Sequence, residues 1–140
     1  MHPCGTAFAT PAVDAKLIEK AKKAVDRGLR FIRGQQDENG SYSKHAGVTG
    51  LALMAFGESH RDYSYDDGPF IRRAADWLVT QARADGAITG EATPTYNTAL
   101  AIMGLKAIGG KKFTKTIQGG QDFLVRFQSD EDRKYREADK

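Results

Sequence analysis

Arg27-Gly28-Leu29-Arg30-Phe31-Ile32-Arg33-Gly34-Gln35-Gln36-Asp37-Glu38-Asn39-Gly40-Ser41-Tyr42 decides the fold, because the chain repeats it. The second copy is Ala74-Ala75-Asp76-Trp77-Leu78-Val79-Thr80-Gln81, with Gly86 beyond it, and the third is Gly120-Gln121-Asp122-Phe123-Leu124-Val125-Arg126-Phe127-Gln128. Phe31, Trp77 and Phe123 follow one another at an interval of 46 residues, twice. A fixed interval of this size marks stacked supersecondary units.

The segments between the aromatic residues repeat as well. Thr49-Gly50-Leu51-Ala52-Leu53-Met54-Ala55-Phe56 lies over Thr98-Ala99-Leu100-Ala101-Ile102-Met103-Gly104-Leu105 at an offset of 49. The three additional residues fall in the second unit's loop, where insertions are tolerated. Each unit therefore reads as helix, Gly-bearing loop, helix and short connector, and the chain holds about five helices.

An aromatic and an aliphatic residue, two spacers, one or two Gln and a following Gly, then a small-residue helix such as Asn97-Thr98-Ala99-Leu100-Ala101-Ile102-Met103-Gly104-Leu105, resemble the repeat of squalene-hopene cyclases and protein prenyltransferase β subunits. In cyclases this is the QW motif. The resemblance covers about residues 20–128 and implies an α/α toroid, with outer and inner helices in two concentric rings of about six around a cavity for a hydrophobic small molecule. Five helices make about two and a half units of such a ring. The expectation is a partial toroid from a longer chain, with self-association through the open edges as the alternative.

Composition narrows the function classes. Of the 140 residues 40% are hydrophobic, enough for one modest core. The formal charge of +3 comes from basic residues interspersed with acidic ones, so no nucleic-acid stripe is predicted. A single cysteine, Cys4, rules out an internal disulfide. No apolar run approaches the length of a membrane span.

Residues 1–11 contain two prolines and no helical period. Ala7-Phe8-Ala9 has the small-x-small form that closes a secretory signal, but no charged and apolar regions precede it. This segment reads as a leader or the remnant of a signal, and cytoplasmic and exported readings both stand. Residues 12–128 form the repeat domain, and 129–140 are a charged tail. The first helix is expected behind Thr10 and Pro11, with Leu17, Ala21, Ala24, Val25, Gly28, Leu29 and Ile32 on its buried face. The second is expected over Ala46 to Ser59, apolar nearly all round and hence an inner helix. The others are placed at Pro69 to Ala84, Thr95 to Ile108 and Thr114 to Gln128. Gly28 and Gly120, with Ala74 between them by period, are read as close-packing positions.

The last turn of a helix leaves carbonyls unpaired, and the following helix leaves N–H groups unpaired. Gln carries both a donor and an acceptor, so it can serve both sets across a loop. Gln35 or Gln36, Gln81 and Gln128 therefore read as loop staples, with Phe31, Trp77 and Phe123 as covering rings and Gly40 and Gly86 as turn residues.

The resemblance prompts a search for the family's chemistry. A cyclase-type Asp-x-Asp-Asp is missing; Asp62, Asp66 and Asp67 sit in a connector with other spacing. The prenyltransferase-type Asp-x-Cys is missing too, and His45 and His60 flank an inner helix too far apart to chelate together. No catalytic residue, metal or cofactor is predicted. His45 is expected to cap a helix, or to stand with Tyr96 and Asn97 at the rim of a central cavity. Three functions are compatible with these residues: a partial cyclase-like or prenyltransferase-like toroid without activity of its own, a noncatalytic helical-repeat module for a protein partner, and part of a carbohydrate-active toroid. Fold analogy does not choose among them.

Overall fold

Asp14 starts the first helix: its carboxylate accepts from the Lys16 N–H at 2.9 Å, satisfying one of the free donors of the first turn. The helix that follows, α1, runs Ala15–Gly34. A computed structural model describes residues 14–90 and 92–128, so Thr10, Pro11, the leader at 1–11 and the tail at 129–140 lie outside the described residues. Four further helices follow: α2 Ala46–Gly57, α3 Pro69–Thr80, α4 Pro94–Ala107 and α5 Thr114–Phe127. Short 3₁₀ turns at Tyr65–Asp67 and Gly110–Phe113 lead into α3 and α5. Among the described residues the regular secondary structure is all helical, apart from an isolated bridge between Ala82 and Ile88. None of their helices is long and apolar enough to cross a membrane.

The five expected helices are present, and α3 stops at Thr80 rather than near Ala84. It stops there because Arg83 N–H turns to the Ala87 carbonyl at 2.8 Å and closes the loop. Pro94, with no N–H to lose, opens α4 one residue early.

The two apolar helices, α2 and α4, form the closest pair in the molecule. Gly47 lies against Tyr96, Asn97 and Leu100, Gly50 against Leu100 and Ala101, and Gly57 against Ala107, so the two helices run in the same direction. The approach is backbone to backbone. A Cβ on Gly50 would come within 3.0 Å of the Leu100 carbonyl oxygen, and one on Gly104 as close to that of Gly50. α3 packs on α2, and α5 on α4. Leu53, Ile71, Leu78, Ile88, Leu105 and Ile108 are fully buried between these layers. On α3, Phe70, Ile71, Ala74 and Leu78 are buried, Trp77 is half-buried, and Arg72, Arg73 and Asp76 face solvent.

α1 departs from expectation. Only Leu29 is buried and Ile32 half-buried, whereas Leu17, Ala21, Ala24, Val25 and Gly28 are exposed. Helical period gives the residues that share a face, and here no described neighbour covers the first half of that face. Gly28 therefore has open space where a Cβ would go, while at Gly120, its counterpart by period, a Cβ would meet Ile102 at 2.7 Å and Thr98 at 3.1 Å. Close packing is real at Gly120 and absent at Gly28.

Candidate functional site

The loops after α1 and α3 are the same structure built twice. Asp37 N–H donates to Ser41 O at 2.9 Å and Gly40 N–H to Asp37 O at 2.9 Å; 46 residues later Arg83 N–H donates to Ala87 O at 2.8 Å and Gly86 N–H to Arg83 O at 3.0 Å. Asn39 Oδ1 accepts from Ser41 N–H at 3.0 Å, and Asp85 Oδ1 from Ala87 N–H at 3.1 Å. Gly40 and Gly86 take left-handed φ values of 94° and 87°. At either one a Cβ would strike the backbone of a later helix, Arg73 of α3 in one case and Gly119 of α5 in the other.

Each loop is tied to the inner helix after it by a threonine. Tyr42 N–H donates to Thr49 Oγ1 at 3.0 Å and Ile88 N–H to Thr98 Oγ1 at 2.9 Å, and both hydroxyls are inaccessible to water. The signal for this tie was Thr49 lying over Thr98 in the aligned segments.

Of the candidate staples, Gln36 reaches furthest. Its Nε2 donates to Gly40 O at 2.9 Å and Phe70 O at 2.8 Å, and its Oε1 accepts from Arg73 Nη2 at 3.0 Å. One side chain thus joins its own loop to α3. Gln35 stands exposed at the end of α1. Gln81 Nε2 donates to the neighbouring Thr80 Oγ1 at 3.1 Å, and Gln128 stands exposed at the end of α5. The position matching Gln36 in the second unit is Ala82, and there an arginine takes over: Arg126 Nη2 on α5 donates to Asp85 O. The roles of Arg73 and Arg126 were not legible, because an arginine on an outer helix looks like any solvated charge.

The covering rings also differ. Phe123 is 2% exposed, Trp77 is half-buried and Phe31 is 67% exposed. The shielding role expected of all three fails at Phe31, which points to the uncovered side of α1.

At the N-terminal ends of the inner helices, His45 caps α2, its Nδ1 accepting from Val48 N–H at 3.4 Å. Two residues on, Gly47 meets Tyr96 and Asn97, so the three expected rim positions lie at one end of the inner pair. Tyr96 is 56% exposed. Asn97 is buried; its Nδ2 donates to Thr89 Oγ1 and Ala92 O, both at 3.0 Å, and its Oδ1 has no partner.

Of the connector acids, Asp67 is engaged locally. Asp67 Oδ2 accepts from Ser64 N–H at 2.6 Å and Ser64 Oγ at 2.7 Å, which holds its carboxyl below the usual range. A proton donor needs the opposite shift. His60 Nε2 lies 3.2 Å from Asp26 Oδ1 on α1. Among the described residues, no group of three or more His, Cys, Asp or Glu converges closely enough to hold a metal.

The chain matches no protein-family model, no curated protein and no solved structure in comparisons with each.

Proposed function

We propose that this chain is a repeat segment of an α/α toroid of the terpenoid cyclase and protein prenyltransferase kind, a structural wall without catalytic activity of its own. The observation that carries this reading is the duplicated loop. A turn copied bond for bond at 46 residues, between outer helices and parallel inner helices, is what a ring of hairpins is made from.

The inner helices supply the second half of the reading. At the offset of 49, the α2 residues Gly47, Gly50 and Gly57, which lie toward α4, and Met54, which shares their face by helical period, correspond to Tyr96, Ala99, Lys106 and Met103 of α4. Tyr96 and Met103 are 56% and 48% exposed. In the other direction, Asn97, Leu100 and Gly104 of α4 correspond to Val48, Leu51 and Ala55 of α2, and Val48 and Leu51 are 40% and 43% exposed. Each of the two helices thus carries exposed apolar residues whose counterparts on the other helix face inward between the pair. Such faces engage further helices, in the same polypeptide or in another copy.

Light scattering at two protein concentrations tests this. A discrete oligomer or concentration-dependent aggregation is expected, and Leu51→Glu on the open face of α2 should reduce it. A monomer near 15 kDa that melts cooperatively would overturn the open-edge reading. It would favour a helical-repeat module whose exposed Leu17, Ile18, Val25 and Phe31 on α1 meet a protein partner.

A further inference from the structure

A cleft of about 300 Å³ opens between α1, the end of α2, the 58–68 connector and the start of α3. Its base is aromatic. Phe56, Tyr63 and Phe70 meet edge to face, with ring centroids 5.1 to 5.7 Å apart. Its walls carry the guanidinium groups of Arg30, Arg33 and Arg61 and one carboxylate, Asp26.

Arg61 is committed to that carboxylate, donating from Nε at 2.9 Å and from Nη2 at 2.5 Å. Arg33 lies 4.4 Å above the Phe70 ring, and Arg30 is exposed one turn earlier on α1. Among the described residues neither Arg30 nor Arg33 is ion-paired with a carboxylate. Three guanidinium groups against one carboxylate leave the cleft with a positive excess. Cations one helical turn apart repel, and an anion seated between them removes the repulsion. Arginine presents its donors as a planar fork that fits phosphate and carboxylate oxygens two at a time. The volume is at the small end of ligand pockets and suits a small molecule.

We propose that this cleft binds a small organic anion, an aromatic or apolar body carrying a phosphate or carboxylate group. The body rests on Phe56, Tyr63 and Phe70, and the charged group lies between Arg30 and Arg33. Arg61, already paired with Asp26, positions the wall. This inference is independent of the toroid reading.

The test is titration of the isotope-labelled chain, following arginine Nε–H resonances by NMR. The probes are phenyl phosphate and benzoate, with inorganic phosphate and benzyl alcohol as the anion-only and ring-only comparisons. Saturable shifts at Arg30 and Arg33 are expected with at least one aromatic anion, and the tighter of the two assigns the head group. Inorganic phosphate and benzyl alcohol should each bind about tenfold more weakly, because each forfeits one half of the site. The double variant Arg30→Gln/Arg33→Gln should lose about tenfold or more, the cost of charge-assisted hydrogen bonds, while Lys115→Gln on α5 changes nothing. Arg33→Lys keeps the charge and should retain more binding than Arg33→Gln, which separates lost recognition from lost fold. The proposal is overturned if neither aromatic anion shifts these resonances at about 10 mM. Equal binding of benzyl alcohol or inorganic phosphate, or undiminished binding by the double variant, also overturns it.

Discussion

Gly104 lies against the backbone of Gly50, so close that a Cβ on Gly104 would stand less than 3.0 Å from the Gly50 carbonyl oxygen. Backbone cannot swing aside as a long side chain can, so the helices must separate to admit a methyl group. Gly104→Ala and Gly50→Ala are each expected to destabilise by about 1 to 3 kcal/mol or more. Gly28→Ala should stabilise by about 0.5 to 1 kcal/mol, because Gly28 is helical with open space beside it. Urea unfolding of the three variants decides this, and a neutral Gly104→Ala would mean that α2 and α4 do not touch.

Gln36 and Gln81 look alike in sequence and should behave differently. Gln36→Ala removes one hydrogen bond within the first loop and two to α3, and should cost about 1 to 3 kcal/mol. Gln81→Ala removes a bond to exposed Thr80 and should cost under about 0.5 kcal/mol. Equal costs in thermal melts would refute the assignment of the staple to Gln36.

Tyr42 is 4% exposed and its hydroxyl has no partner. Its counterpart at the 46-residue interval is Ile88, an apolar residue with no exposure. Tyr42→Phe is therefore expected to be neutral or stabilising by about 1 kcal/mol, since it removes a buried unpaired hydroxyl. Burial pushes the phenol up to about 12, against the pull of Arg73 and Arg33. A folded-state pKa above the unfolded value near 10 means that the parent protein loses stability as pH rises from about 10 toward 12, so the advantage of Tyr42→Phe widens over that range. Phenolate absorbance should show one fewer late-titrating group in Tyr42→Phe, with Tyr65, whose phenol burial also raises, remaining; an unchanged number in the variant would reject the assignment.

The Asp26–Arg61 pair ties α1 to the connector across 35 residues. The hydrogen bonds from Arg61, more than any other influence, hold the Asp26 carboxyl below its ordinary value. A depressed carboxyl stabilises the fold above its unfolded pKa, and the contribution fades as pH falls below about 4. Asp26→Asn should therefore separate from the parent protein at pH 6 to 7 and converge with it in acid. A gap that stays constant down to pH 2 would show that the ionised pair is not what holds the connector.

Five helices and two equivalent loops were legible in the sequence because period and turn chemistry are local. Trp77, Phe123 and the Gly40 and Gly86 turns could be placed by counting. What counting misses is which face finds a neighbour: Leu17 and Leu29 lie on the same expected stripe of α1, yet only Leu29 is buried. His45, Tyr96 and Asn97 come to one end of the α2–α4 pair because they sit at corresponding helix starts. The cleft was not, since Arg30 and Arg33 acquire Phe70 and Tyr63 as neighbours only once the connector folds back on α1. A run of basic residues on a helix gives no sign of an aromatic floor beneath it.

From Ala15 to Gly28 no residue of α1 is buried, and Asp26 alone is half-buried. An isolated helix of that length is marginal in water. The amides of this segment will therefore exchange their hydrogens through local fraying, on a clock separate from that of α2 and α4, whose amides open only when the whole domain does. Anything that covers Leu17 and Val25, or pins Arg30, will register first as slower exchange along α1, before the melting temperature moves.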